Sequence, residues 1–246
     1  MSEKTSVIRR ENNVITRKGE NSHNNKVDSE FNKVSISGRF ETELEYSHKV
    51  NRIKFYSTRV RVARVNGVED FVPIIVAGSL IARKFKKKSL KGKRVEISGQ
   101  FRSYNEMGED GCKHLKLFLF VTVIKIYEDE DGQNETINSN FIYLDGYICK
   151  TPFFRRTPLG KRITELLIAV NRPGGKSDYI PCIVWGNLAR QVSEFEVGNR
   201  VELYGRVQSR RYFKKFSPDS EEGEERVAYE ISASEIHKVQ DLRGII

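Results

Sequence analysis

Apolar and polar residues begin to alternate at Val34, Ile36, Gly38 and Phe40, which share one parity and predict a half-buried strand. The preceding residues, 1–30, are polar and almost free of large apolar side chains, so they predict a disordered tail. A polar loop is expected over 41–51. Residues 55–65 and 71–77 predict the second and third strands, joined at Asn66-Gly67, a dipeptide that tolerates the positive φ of a tight hairpin. Residues 79–85 predict a short helix. Val95, Ile97, Gly99 and Phe101 give a fourth strand, and 115–127 a fifth.

The same order then recurs. Pro73 and Pro181, Gly78 and Gly186, and Gly38 and Gly146 are each 108 residues apart, and Gly92-Lys-Arg94-Val95 answers to Gly198-Asn-Arg200-Val201 at a spacing of 106. A period of that length is the size of a small domain, not of a solenoid repeat. In the second copy, strands are expected over 141–149, 162–171, 179–185, 200–212 and 226–238, with a helix over 187–195. Three strands, a helix and two strands is the plan of the OB-fold barrel. The chain therefore reads as all-β: two tandem five-stranded OB-fold barrels, each with a short helix between its third and fourth strands. The expected organisation is a tail over 1–30, a first barrel over 31–128, an acidic polar linker over 129–139, a second barrel over 140–240 and a short tail over 241–246. Gly99 and Gly205 fall inside strands, where a small closed barrel needs sharp bends. Pro73 and Pro181 interrupt the third strands and predict an edge or a bulge at that point.

Charge narrows the function. The chain carries 43 Lys and Arg against 33 Asp and Glu, a formal net charge of +10, so an anionic partner is expected. Nucleic acid comes first and a membrane surface second. No apolar run is long enough to span a bilayer and no signal peptide opens the chain, which predicts a cytoplasmic location and no membrane role. Cys112, Cys149 and Cys182 form no CxxC pair and are odd in number, which argues against a disulfide framework, a zinc site or any other cofactor. There is no Walker loop and no nucleophile elbow, and His23, His48, His114 and His237 are scattered, so no enzyme is expected.

The binding candidates follow from parity. In the third strand of the second copy, Ile180, Cys182 and Val184 share the core parity. Tyr179, Ile183 and Trp185 share the outer one, which sets two rings roughly 20 Å apart on an exposed face. Exposed rings accept bases whatever the sequence. The fourth strand adds Arg206, Arg210, Arg211 and Tyr212, followed by Phe213, Lys214 and Lys215, so cations for phosphates interleave with rings for bases. The first loop of this copy holds Phe153, Phe154, Arg155, Arg156, Lys161 and Arg162, in the loop that flanks an OB-fold binding face. The first copy has Ala77 where the second has Trp185. It offers Phe71, Arg102 and Tyr104, with Tyr46, His48, Lys49 and Arg52 in its first loop, and the densest basic run of the chain, from Arg83 to Arg94. A solvated loop, or a subunit contact for the rings, is the structural alternative for each cluster.

Thr157-Pro-Leu-Gly160, Ala169-Val-Asn-Arg172, Asp178-Tyr-Ile-Pro-Cys-Ile-Val-Trp185 and Gly205-Arg-Val-Gln-Ser-Arg-Arg-Tyr212 resemble motifs of the bacterial single-stranded DNA-binding protein family, in order and at matching spacing. The first copy resembles the same domain more weakly, and together they resemble the two-OB-fold version. The resemblance implies a groove for single-stranded DNA without sequence preference, with stacking at Tyr179, Trp185 and Tyr212, serving replication, recombination or repair. It also implies four OB-folds acting together, which a two-barrel chain reaches as a homodimer. Family members commonly end in an acidic tail with an apolar tip that recruits other enzymes. This chain ends Val239-Gln-Asp-Leu-Arg-Gly-Ile-Ile246, with no acidic run, so recruitment by that route is not expected. Two other readings stay open: a primosome-type or protein-interaction OB module, and an RNA-binding tandem OB protein, since nothing in the sequence reads a 2′-hydroxyl.

Overall fold

The computed structural model describes residues 31–82, 85, 88–108, 111–128, 139–217 and 220–240. The tails expected over 1–30 and 241–246, and all of the linker except Ser139, lie outside the described residues.

The first barrel is built from β1 (Asn32–Phe40), β3 (Ile53–Ala63), β4 (Glu69–Ala77), β5 (Arg94–Met107) and β6 (Lys113–Ile126), with β2 (Glu45–Val50) added as a hairpin strand beside β3. It closes because β1 pairs with both β5 and β3, and β4 pairs in parallel with β6. The second barrel repeats this with β7 (Asn140–Ile148), β8 (Phe153–Arg156), β9 (Arg162–Asn171), β10 (Ser177–Trp185), α1 (Gly186–Val192), β11 (Arg200–Lys215) and β12 (Gly223–Lys238). Inward residues of each strand make the core. Val60, Val62, Val72, Ile74 and Val76 fill the first barrel, and Ile168, Val170, Ile180 and Val184 the second; all are buried.

The two bends expected at glycines are bulges. The β5–β6 register shifts between Ser98 and Gly99, and the β11–β12 register between Tyr204 and Gly205. There the partner strand comes so close that a Cβ on Gly99 would meet the Phe120 carbonyl and one on Gly205 the Ser232 carbonyl. The Asn66-Gly67 hairpin forms as expected, with Gly67 at φ 81°.

One expectation needs correcting. The polar segment 41–51 is not all loop: Glu45–Val50 is strand β2, and Phe153–Arg156 is its counterpart β8. Every residue of β2 is exposed, so no apolar alternation marks it. It turns into β3 through Asn51 and Arg52, both at positive φ (44° and 69°), the backbone of a tight primed turn. The helix expected in the second copy forms as α1; of the one expected over 79–85 in the first, Arg83 and Lys84 lie outside the described residues. In the first, the described residues after β4 make turns, with Leu80 N–H donating to Ala77 O. Gly78 to Gly92 is two residues longer than Gly186 to Gly198. The Leu90 amide donates to Glu43 Oε2 at 3.1 Å, and Ile81, Phe85 and Leu90 are buried as an irregular plug.

The barrels join by two reciprocal devices. β1 and β7 pair antiparallel, with Val34 opposite Ile142, its own counterpart, so a pseudo-two-fold axis passes between them. Within each barrel the base of the long hairpin is clamped: Asn32 holds both backbone groups of Phe101 (2.7 and 2.9 Å), and Asn140 does the same to Val207 (2.7 and 2.9 Å). The β5–β6 and β11–β12 hairpins then reach across as arms, each stapled to the other barrel. Asp70 accepts from Ser209 N–H (2.8 Å) and from Arg64 (2.6 and 2.7 Å), while Phe71 N–H donates to Ser209 Oγ (2.9 Å). Across the axis, Asp178 accepts from Ser103 N–H (2.5 Å), Arg172 (2.8 Å) and Arg102 (3.4 Å), while Tyr179 N–H donates to Ser103 Oγ (2.8 Å). Burial pushes the Asp178 carboxyl up; the Ser103 amide and the two guanidinium groups pull it back down.

Asp178→Ala strips the counter-charge from two half-buried arginines and is expected to cost about 3–5 kcal/mol, read from urea unfolding. Gly205→Ala forces a methyl group against the Ser232 carbonyl and is expected to cost about 1–3 kcal/mol, with the urea midpoint falling at unchanged slope.

Candidate nucleic-acid interface

Strand β10 presents its side chains by simple alternation. Ile180, Cys182 and Val184 enter the core, and Tyr179 and Trp185 point out, 44% and 38% exposed. Ile183 shares their parity but is buried, so the rings are separated by a covered position. Trp185 ends the strand, and Gly186 turns the chain straight into α1 with φ 70°, which leaves the indole at the lip of the barrel.

The β8–β9 hairpin borders this face. Phe153 lies opposite Glu165 and Phe154 opposite Thr164, and both rings are exposed. Its turn is closed by Thr157 N–H to Lys161 O and by Gly160 N–H to Thr157 O. Arg156 and Lys161 are exposed there. Arg155 is instead held by Glu165 (2.5 and 2.9 Å), and Arg162 by Asn187 Oδ1 (2.6 Å).

The arm β11–β12 sorts its cations further. Arg210 lies over the Tyr212 ring (5.5 Å) and pairs with Glu230 (3.7 Å). Arg211 lies over Phe71 of the other barrel (5.9 Å) and pairs with Glu225 (3.9 Å). Lys214 and Lys215 are exposed at the arm end, with Lys214 opposite Glu224. Acidic residues of β12 thus face the basic run of β11, a compensation that a linear reading misses. Arg102 and Arg206 sit deeper. Arg102 belongs to the Asp178 staple and also contacts Gln100. Arg206 reaches Gln208 (3.3 Å) beside Asp70 and Arg64, and burial with the nearby Arg64 charge lowers its pKa. Both arginines serve the joint, because the arm that carries them is docked on the neighbouring barrel.

Residues from the two copies meet at the seam between the arms. Tyr104, whose ring meets Phe118 edge-on at 5.8 Å, lines the same cleft as Tyr212. Arg52 stands apart at the β2–β3 turn. Of the basic run, Arg83, Lys84, Lys86 and Lys87 lie outside the described residues, while Arg94 covers the Tyr127 ring at 3.8 Å. Arg59 and Lys116 were legible only as outward positions of alternating strands; their place at the seam comes from the docking of the arm. Among the described residues, no three His, Cys, Asp or Glu side chains gather as a metal site, and no helix is long and apolar enough to cross a membrane.

Residues 139–239 match the model of the single-strand binding protein family. That match spans the second barrel. Among curated relatives, the chain is 36% identical over 80 residues to single-stranded DNA-binding protein 3 of Listeria innocua, covering 30% of this chain and 50% of the relative. It is 30% identical over 104 residues to the single-stranded DNA-binding protein of Halalkalibacterium halodurans, covering 39% and 58%. The chain thus spans about half the length of the curated relatives it matches. The crystal structure of wild-type single-stranded DNA binding protein from Thermus aquaticus superposes with a TM-score of 0.64 at 18% identity, over 86% of this chain and 94% of that one. That coverage takes in both barrels, so the paired-barrel architecture is shared, including the first barrel that the family model does not reach.

Proposed function

We propose that the protein binds single-stranded DNA without sequence preference and coats exposed strands during replication, recombination or repair. The observation that carries this reading is the outward set of Tyr179, Trp185 and Phe153, in the part of the chain that matches the family, with the exposed Phe154, Arg156 and Lys161 at its border. Rings take the bases, whose π-faces are common to all four, and cations neutralise the phosphates. Protection follows from occupancy, with no bond made or broken by the protein.

Trp185 is the single tryptophan of the chain, so its emission reports one site. Oligo-dT is expected to quench it strongly, with an affinity that falls steeply as salt rises, and duplex DNA only weakly. Trp185→Ala is expected to lose about 1–3 kcal/mol of binding in a salt-matched competition assay. An equal response to duplex overturns the reading.

We also propose a homodimer that unites four barrels through the outer face of the central strands. Phe141 is 45% exposed there, 6.3 Å from the Tyr204 ring, which is 5.0 Å from Tyr143. Burial, with the charges of Glu202 and Asp145, pushes the Tyr143 hydroxyl up to about 12. A two-fold contact buries such a patch against its own copy. Phe141→Lys is expected to sediment as a monomer while short oligo-dT still quenches Trp185; an intact dimer in that variant overturns the proposed face.

A further inference from the structure

A cleft of about 940 Å³ opens between the two arms, lined by both prolines, Pro73 and Pro181. Their chemistry explains the opening. The amides of Phe71 and Tyr179 bond outward to Ser209 and Ser103 of the opposing arms. Amide directions alternate along a strand, so residues 73 and 181 face the same edge two positions on. Proline has no N–H there, and the arm cannot zip further along the strand. On the other side of each proline, β4 meets β6 at Ile74, and β10 meets β12 at Cys182. The gap left between is the cleft.

A smaller cavity of about 120 Å³, bordered by Phe71 and Arg211, shares Arg59, Val227 and Tyr229 with the cleft, so the two form one passage. Its rings come from both copies: Phe71, Tyr104 and Phe118 from the first, Tyr212 and Tyr229 from the second. Arg59 stands where the two spaces meet, exposed and with no ion pair among the described residues. Lys116 pairs with Glu106 (3.2 Å) and Arg226 with Glu224, both glutamates exposed. A nucleotide is a ligand of the size that occupies clefts of about 300–1,000 Å³. The other contact between the barrels, β1 on β7, is continuous sheet with no opening.

We infer that this passage is a further binding site for single-stranded DNA, the crossing through which one strand runs from barrel to barrel, with bases against Tyr104, Phe118 and Tyr229 and phosphates at Arg59 and Lys116. The inference rests on the single-strand reading of the protein and adds to it where the strand changes barrels. Duplex DNA, its bases paired inward, presents no ring faces to this passage.

The full chain is titrated with two oligo-dT probes. One of about 8 nucleotides fits one barrel, and one of about 40 exceeds what two barrels hold. Arg59→Ala is expected to weaken the long probe about tenfold and to reduce its log–log salt slope by about 0.7, the loss of one phosphate contact. Quenching of Trp185 by the short probe stays as in the unaltered protein. If long-probe affinity and slope are both unchanged while the short probe still quenches, the crossing is wrong and the single-strand reading stands. If neither probe quenches the unaltered protein, both fall. As a direct check on the unaltered chain, 4-thiothymidine placed mid-probe is expected to cross-link to residues 113–118 and 224–230; cross-links confined to β8 and β10 overturn the crossing.

Discussion

Asp70 and Asp178 are carboxylates taken almost wholly out of water, and each is tolerable only because donors surround it. One set of donors is local: Arg64 for Asp70 and Arg172 for Asp178. The other is the backbone of an arm that grows from the opposite barrel, at Ser209 and Ser103. Neither barrel alone completes either group. The exchange turns two small barrels with modest cores into one body, and it fixes where the arms lie. The seam cleft, the setting of Phe71 under Arg211, and the withdrawal of Arg102 and Arg206 from solvent all follow from that docking.

The pseudo-two-fold governs the framework and is broken on the surface. Staples, clamps, bulges and prolines occur in pairs, whereas the rings do not. The second barrel carries Trp185 at the lip of β10 and the exposed Phe153 and Phe154; the first has Ala77 at the matching strand end and buries Ile81, Phe85 and Leu90 beyond it. Phe71 and Tyr104 of the first barrel do their work at the seam, next to side chains of the second. The asymmetry leaves exposed rings on the outer face of one barrel and a shared passage between the two.

Much of the site was legible from alternation. Strict parity along 179–185 separated core from surface, and Tyr179 and Trp185 point outward as that parity requires. Ile183 shows the limit of the argument, since parity gives a direction and not whether a neighbour covers it. Charge was less legible than shape. Arg155 and Arg162 read as free cations in the linear chain, yet Glu165 and Asn187 meet them only when β8 folds onto β9 and α1 caps the barrel. The acidic residues of 222–225 read as a loop, yet the long hairpin sets Glu224 and Glu225 opposite Lys214 and Phe213, beside Arg211.

The sequence by itself determined the duplication, the strand order, the bends at Gly99 and Gly205 and the parity of the outward rings, because these depend on local backbone sterics and on the two-residue period of a strand. It also marked Pro73 and Pro181 as paired positions where an edge or a bulge was expected. Only the tertiary structure decided that the aspartates join the barrels and that the prolines hold a cleft open. Both roles depend on partners that lie 75 and 139 residues away in the chain, brought together by burial of charge across a pseudo-two-fold that no local pattern encodes.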